Sequence, residues 1–185
     1  MKREITLAGF GGQGVLSMGL FIAHAAMSEM KKVLYVPSYG AEMRGGTANC
    51  TVTVSDREIS SPVVSTPEII VVMNHPSLDK FEPMVKPGGI LLVNGSLVHR
   101  SPKRRDISVY VVPAQELAVK VGLPSGSNMV MLGALLKATQ IIDSTNTEEY
   151  LIKTFSGRYM DKLPLNMAAI NAGMDYLKDL GLATA

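Results

Sequence analysis

The chain has 185 residues, with 18 Lys and Arg against 16 Asp and Glu, so its formal net charge is +2. So small an excess, without a basic stripe, excludes a protein that captures nucleic acid by bulk charge. Hydrophobic residues make up 46% of the chain and charged residues 18%, below the roughly 25% of an average soluble domain. We therefore expect one domain over residues 1–185, with part of its apolar surface covered by other chains.

The single cysteine, Cys50, excludes an internal disulfide and a cysteine-ligated metal or iron–sulfur site built by this chain alone. The most apolar early segment, residues 15–27, is shorter than the ~18 residues of a membrane helix. It follows a glycine turn and not a basic leader, which argues against a signal peptide. We expect a cytoplasmic protein that binds no metal by itself and no membrane.

Short apolar strands alternate with helical segments along the chain, which is typical of an α/β domain. Strands are predicted at residues 4–8, 33–36, 48–54, 68–73, 90–93 and 109–112. Helices are predicted at 13–30 and 75–85, after Pro113, and then at 128–139, 147–155 and 166–180. No helix separates the second and third strands, so the sheet should be mixed. In the third strand apolar and polar residues alternate, which predicts a half-exposed strand.

The segment Gly9-Phe10-Gly11-Gly12-Gln13-Gly14 fits the pattern G-x-G-x-x-G between a predicted strand and a predicted helix. Glycines permit the sharp turn, and the helix N-terminus offers free N–H groups to an anion. A nicotinamide site also needs an acidic residue at the end of the second strand, where the chain has Val36-Pro37-Ser38. The turn therefore predicts contact with an anion or a partner's backbone, or only close packing of the strand on the helix.

A second polar loop, residues 38–46, follows the second strand near the glycine turn. Arg44 could bind a carboxylate or phosphate in a fork, and Glu42 could orient it. The alternative is that Glu42 and Arg44 pair with each other and only brace the loop. No nucleophile, general base or metal cluster accompanies the loop, so the catalytic residues stay unknown.

Two further groups of residues are expected to serve the fold. The three histidines, His24, His75 and His99, have no spaced partner and are interpreted as structural. The basic run at residues 103–105 is interpreted as a solvated turn, with a partner or phosphate contact as the alternative.

Five segments recur in the order of a known family: AGFGGQGV at 8–15, SYGAEMRGG at 38–46, KPGGIL at 86–91, NMVMLGA at 128–134 and LN at 165–166. With them the chain resembles the gamma subunit of 2-oxoacid:ferredoxin (acceptor) oxidoreductases over nearly its whole length. It is more similar to the separate gamma chain of the 2-oxoglutarate or branched-chain enzymes than to a fused pyruvate enzyme. The resemblance agrees with a three-layer Rossmann-like domain with a mostly parallel mixed sheet and a helical C-terminal part.

The resemblance implies a complex that converts a 2-oxoacid and coenzyme A to acyl-CoA and CO2 while it reduces ferredoxin. Thiamine diphosphate, magnesium and iron–sulfur clusters would be held by alpha, beta and ferredoxin-like delta subunits, with coenzyme A as co-substrate. The chain alone would be inactive, and a homodimer is expected when it is isolated. The alternatives are a stand-alone nucleotide- or phosphate-binding protein and a non-catalytic assembly scaffold.

The resemblance also implies which residues face the shared active site or coenzyme A. The implied cofactor-binding positions are Gly9, Gly11, Gly12, Gln13, Gly14, Tyr39, Glu42, Arg44, Gly45, Gly46 and Asn128.

Overall fold

The computed structural model describes residues 1–39, 47–155 and 160–180, and these form a six-stranded sheet with helices. The strands are β1 Lys2–Phe10, β2 Lys32–Tyr39, β3 Thr47–Ser55, β4 Ile69–Val72, β5 Ile90–Asn94 and β6 Ser108–Val112. They lie in the order β2-β3-β1-β4-β5-β6. β3 is antiparallel to both β1 and β2, whereas β1, β4, β5 and β6 are parallel neighbours. The predicted mixed, mostly parallel α/β sheet is confirmed.

The helices are α1 Val15–Ser28, α2 His75–Phe81, α3 Ala114–Lys120, α4 Ser127–Thr139, α5 Thr147–Phe155 and α6 Leu163–Asp179. The prediction that one helix covers residues 75–85 is wrong, since α2 ends at Phe81 and a 3-10 turn follows at Glu82–Met84. Pro83 lacks the N–H that an α-helix would need there. The helix predicted at 13–30 is also shorter, because Gly14 and Met30 have left-handed backbone angles at its two ends.

The prediction of a half-exposed third strand is wrong for the second half of β3. Thr53 and Ser55 are buried together with Val52 and Val54. The period of two identifies which residues share a face, but it does not tell what covers the opposite face. β3 lies between β1 and β2, so its backbone is paired on both edges. The ladder with β2 also extends to Tyr39, so the loop expected from residue 38 begins later.

Helices cover the two faces of the sheet unequally. The larger apolar cluster joins one sheet face to the helices α1 and α3–α6, and it contains Leu7, Phe21 and Met131, all fully buried. The smaller cluster joins the opposite face to α2 through residues such as Ile70 and Leu78. The continuous apolar run of β4 is buried on both faces, as expected of a central strand.

Helices α4 and α6 cross at a very short distance because each has a glycine at the contact. A Cβ atom on Gly133 would lie 1.9 Å from the carbonyl oxygen of Ile170. A Cβ atom on Gly173 would lie 2.0 Å from the carbonyl oxygen of Val130. Both positions therefore exclude any side chain, and this close contact sets how α6 lies on α4.

Candidate functional site

The glycine turn connects β1 to α1 and has two left-handed residues, Gly12 with φ of 96° and Gly14 with φ of 73°. An L-residue adopts this region at a cost, so the turn requires glycine at both positions. The N–H of Gln13 donates to the carbonyl oxygen of Phe10 at 3.1 Å and closes the turn. Gly11 lies within the same turn.

Gly9 and the side chain of Gln13 pack against each other and stabilise the shape of the turn. The Oε1 atom of Gln13 accepts a hydrogen bond from the N–H of Phe10 at 2.7 Å. A Cβ atom on Gly9 would lie 2.8 Å from that same oxygen and 3.0 Å from the Cβ of Met73. The side-chain amide of Gln13 therefore fills the space that Gly9 leaves free.

A cleft of about 270 Å³ opens in front of the turn. It lies among the first turns of α1 and α4, the end of α5 and the start of α6. Its lining residues are Gly12, Gly14, Ser17, Leu123, Ser125, Asn128, Met129, Phe155, Lys162 and Asn166. One part of the lining is polar and carries hydroxyl, amide and ammonium groups, whereas Leu123, Met129 and Phe155 form an apolar part.

The electrostatics of the cleft favour an anion. Helices α1, α4 and α6 all begin at it, and a helix N-terminus carries a partial positive charge. In the part of the chain that the structure describes, no side chain caps the first turn of any of these helices. Lys162 adds an ammonium group, and none of the described lining residues is a carboxylate. Unpaired N–H groups, hydroxyls and one cation are suited to bind phosphate or carboxylate.

The structure brings together Gly12, Gly14 and Asn128 among the residues that the sequence pointed to. A Cβ atom on Gly14 would lie 2.4 Å from the Nδ2 atom of Asn128, so the two residues are packed directly together. Tyr39 is 63% exposed at the end of β2 and is not part of the cleft lining. The predictions for Glu42, Arg44, Gly45 and Gly46 fall outside the described residues and stay predictions.

Sequence reasoning did not single out Ser17, Ser125 or Lys162. Two signals could have found the last two. Ser125 stands in the run Ser125-Gly126-Ser127-Asn128, a composition typical of a helix start. Pro164 is favoured in the first turn of a helix, which moves the start of α6 to Leu163 and places Lys162 immediately before it.

Cys50 lies in the core, an environment that does not suit a reactive thiol. Its Sγ donates to the carbonyl oxygen of Val15 at 3.4 Å, and the residue is fully buried. Burial raises the pKa of the Cys50 thiol to about 12, although the hydrogen bonds of Gly19 and Tyr35 act in the opposite direction. A thiol that stays protonated is a poor metal ligand or nucleophile. Among the described residues there is also no group of three or more His, Cys, Asp and Glu side chains that could hold a metal.

The basic run at residues 103–105 is held to the fold by its backbone. The N–H groups of Lys103 and Arg104 both donate to the buried carboxylate of Glu82. The Nε atom of Arg104 donates to Asp106 at 2.6 Å, while Lys103 and Arg105 are exposed.

Among the helices that the structure describes, none is long and apolar enough to cross a membrane.

The family model described as pyruvate ferredoxin/flavodoxin oxidoreductase matches residues 4–176. The chain belongs to this family. The 2-oxoglutarate synthase subunit KorC of Methanocaldococcus jannaschii is 33% identical over 183 residues, which cover 97% of this chain and 96% of KorC. The ketoisovalerate oxidoreductase subunit VorA of Methanothermobacter marburgensis is 39% identical over 177 residues. That match covers 95% of this chain, but the chain spans only 36% of the length of VorA.

Solved structures confirm the fold and the resemblance. The gamma subunit of a keto/oxoacid ferredoxin oxidoreductase from Geobacter sulfurreducens superposes with a TM-score of 0.79 at 26% identity, over 94% of this chain and 96% of that one. The 2-oxoglutarate:ferredoxin oxidoreductase from Magnetococcus marinus, with 2-oxoglutarate, coenzyme A and succinyl-CoA bound, gives a TM-score of 0.88 at 26% identity. That comparison covers 98% of this chain and 32% of the other chain. The expected relation to subunits of 2-oxoacid:ferredoxin oxidoreductases is confirmed.

Proposed function

We propose that this chain is the gamma subunit of a multi-subunit 2-oxoacid:ferredoxin oxidoreductase that acts on 2-oxoglutarate or a branched-chain 2-oxoacid. The observation that carries the proposal is the match with KorC, which extends over nearly the full length of both chains. The VorA match supports the branched-chain alternative, since ketoisovalerate is a branched 2-oxoacid. The complex would convert the 2-oxoacid and coenzyme A to acyl-CoA and CO2 and pass two electrons to ferredoxin.

Within such a complex this chain would bind and orient, and its partners would hold the redox chemistry. Its one cysteine is buried with a raised thiol pKa, which does not fit a ligand of an iron–sulfur cluster. We therefore assign the clusters to partner subunits. From the family resemblance we assign thiamine diphosphate and magnesium to partners as well, so that alpha, beta and ferredoxin-like delta subunits would hold these groups. When bound there, thiamine diphosphate supplies the decarboxylation chemistry and the clusters carry the electrons.

The cleft is the part of this chain that we assign to coenzyme A, a co-substrate with several phosphate groups. The N–H groups at the start of α1 and α4, the hydroxyls of Ser17 and Ser125, and the ammonium of Lys162 would bind phosphate oxygens. The apolar lining of Leu123, Met129 and Phe155 would pack against uncharged parts of the molecule. The support for this assignment is the chemistry of the lining together with the coenzyme A bound in the Magnetococcus marinus enzyme.

The test is to produce the complex with and without this chain and to measure 2-oxoacid-dependent reduction of ferredoxin. We expect reduction that requires coenzyme A from the complete complex, and no reduction from the chain alone with ferredoxin, NAD or NADP. Comparison of 2-oxoglutarate with 2-oxoisovalerate identifies the substrate. A complex that keeps full activity when this chain is omitted would contradict the proposal.

A stand-alone phosphate- or nucleotide-binding protein is the second candidate, and the uncapped helix N-termini at the cleft are the observation that favours it. Calorimetric titration of the isolated chain with coenzyme A and with inorganic phosphate separates the two. Tight binding without any partner, together with no effect on the oxidoreductase, would favour the second candidate. Loss of assembly with unchanged turnover would instead indicate a scaffold.

The isolated chain is also expected to form a homodimer, because it exposes large apolar side chains. Met27 is 59% exposed, Met30 92% and Val63 76%. Sedimentation of the isolated chain should show a dimer that disappears when the partner subunits are added. A monomer at high concentration would contradict this expectation.

A further inference from the structure

Hydrogen bonds between neutral side chains connect the glycine turn after β1 with the carboxyl ends of β4 and β5. Gln13, Asn74 and Asn94 form what we call the amide network. The Nδ2 atom of Asn74 donates to Oε1 of Gln13 at 2.8 Å. The amide nitrogens of Gln13 and Asn94 both donate to the carbonyl oxygen of Met73, at 3.4 and 3.5 Å. Asn74 is 4% exposed and Asn94 is 0% exposed, whereas Gln13 is half-buried, so the network is largely shielded from water.

The orientation of Asn74 is fixed by its second role. Asn74 directly precedes α2, and its Oδ1 atom accepts from the N–H of Ser77 at 2.9 Å. This cap requires an oxygen at that end of the side chain, because the N–H of Ser77 is a donor. The amide nitrogen of Asn74 must therefore point to Gln13. The start of α2 thus presents a donor at a defined position to the glycine turn.

Gln13 connects Asn74 to the backbone of the glycine turn. Its Oε1 atom accepts both from Asn74 and from the N–H of Phe10, and its own N–H donates to the carbonyl oxygen of Phe10. Side chain and backbone of Gln13 therefore close the same turn from two sides. The turn carries Gly12 and Gly14, which line the cleft. A shift of the Gln13 side chain would move this lining.

We propose that Asn74 is a positioning residue: by holding Gln13 it fixes the glycine turn as a wall of the cleft, and so it sets the affinity of the cleft without touching the ligand. Asn74 is not among the residues that line the cleft. The inference rests on the proposed function, in which the cleft binds coenzyme A. Its structural part, that Asn74 holds the turn, is measurable without any ligand.

The experiment uses the variant Asn74→Ser in the assembled complex. Serine keeps an oxygen for the N–H of Ser77, so α2 stays capped, but it removes the donor to Gln13. We expect faster hydrogen exchange in the peptide that covers residues 9–14. We also expect the KM for coenzyme A to rise roughly three- to tenfold, the effect of about one buried hydrogen bond. The kcat and the KM for the 2-oxoacid should stay unchanged.

One variant serves as a control for the loss of a buried hydrogen bond elsewhere in the fold. Thr139→Val removes another buried hydrogen bond, from Oγ1 of Thr139 to the carbonyl oxygen of Leu135 at 2.7 Å, at the end of α4. It should change neither the exchange of residues 9–14 nor the KM for coenzyme A.

Should Asn74→Ser not fold, Gln13→Leu removes the same hydrogen bond from its other side, together with the bonds to Phe10 and Met73, and is expected to give the same two changes at larger size. Unchanged exchange at residues 9–14 in these variants would overturn the proposal, and so would faster exchange with an unchanged KM for coenzyme A. A wild-type complex whose turnover does not depend on coenzyme A would overturn the proposed function instead. In that case the exchange measurement still decides whether Asn74 holds the turn.

Discussion

The two ends of α2 are fixed by different chemistry. At its start, Asn74 connects the helix to the glycine turn through neutral amides. At its end, the buried carboxylate of Glu82 accepts from the guanidinium of Arg100 at 2.9 Å and from two backbone N–H groups of the loop before β6. Asp79, on the last turn of α2, also pairs with Arg100. Neither end lines the cleft itself, but the neutral end is hydrogen-bonded through Gln13 to the turn whose Gly12 and Gly14 do.

The hydrogen bonds at the two ends of α2 differ in strength and in their dependence on pH. Charged hydrogen bonds are stronger than neutral ones, but they depend on pH. Burial acts to raise the pKa of Glu82, but the N–H of Arg104, the Arg100 guanidinium and the N–H of Lys103 outweigh it, so the pKa of Glu82 is lowered. Amides do not titrate, so the hydrogen bonds of the neutral end do not depend on pH. We therefore expect the charged end to stabilise the fold and the neutral end to shape the site.

The largest effect is expected from Glu82→Ala. The variant leaves two loop N–H groups without their acceptor and removes one of the hydrogen bonds of Arg100, which should lower the free energy of unfolding by about 2–3 kcal/mol. Urea denaturation measures this change. Glu149→Ala is the matched control, because Glu149 forms an exposed pair with Lys153 and should cost less than about 1 kcal/mol. An equal loss in the two variants would contradict a structural role for the charged end.

Gly14→Ala should disturb the turn that the neutral end of α2 supports. Gly14 has a φ of 73°, and alanine in this region costs about 1–2 kcal/mol. Its Cβ atom would also contact Asn128, so we expect the two sites to be coupled. Urea denaturation of Gly14→Ala, Asn128→Ala and the double variant measures this coupling. The double variant should lose less than the sum of the single variants, and strictly additive losses would show that the contact is unimportant.

A pH series sharpens the comparison further. Since the pKa of Glu82 is lower in the folded state than its ordinary value of 4.5, the unfolded chain takes up the proton first as the pH falls. The stabilisation by Glu82 is therefore complete above pH 4.5 and is lost as the pH falls through the folded-state value. The difference in Tm between wild type and Glu82→Gln should shrink below pH 4.5, whereas that between wild type and Asn74→Ser should stay constant. The same pH dependence of the Tm difference for both variants would contradict this distinction between the charged and the neutral end of α2.

The sequence predicted the sheet and the family well, because alternation of strands and helices and an ordered set of short motifs are local signals. It failed where the outcome depends on what packs against a residue. The burial of Thr53 on β3 required the position of that strand inside the sheet. The sequence could not show how Gln13 is held, because its partner Asn74 lies 61 residues further along the chain. Lys162 joins the cleft only because α6 packs against α4.

The central claim, that the cleft binds coenzyme A, is tested most directly through Lys162. Lys162→Met removes the ammonium group from the cleft, and Lys178→Met removes an exposed one near the other end of α6 as a control. In the assembled complex we expect Lys162→Met to raise the KM for coenzyme A about fivefold, since an exposed charge pair contributes up to about 1 kcal/mol. The KM for the 2-oxoacid should stay unchanged, and Lys178→Met should behave as the wild type. The same KM for coenzyme A in both variants and the wild type would contradict the assignment of the cleft.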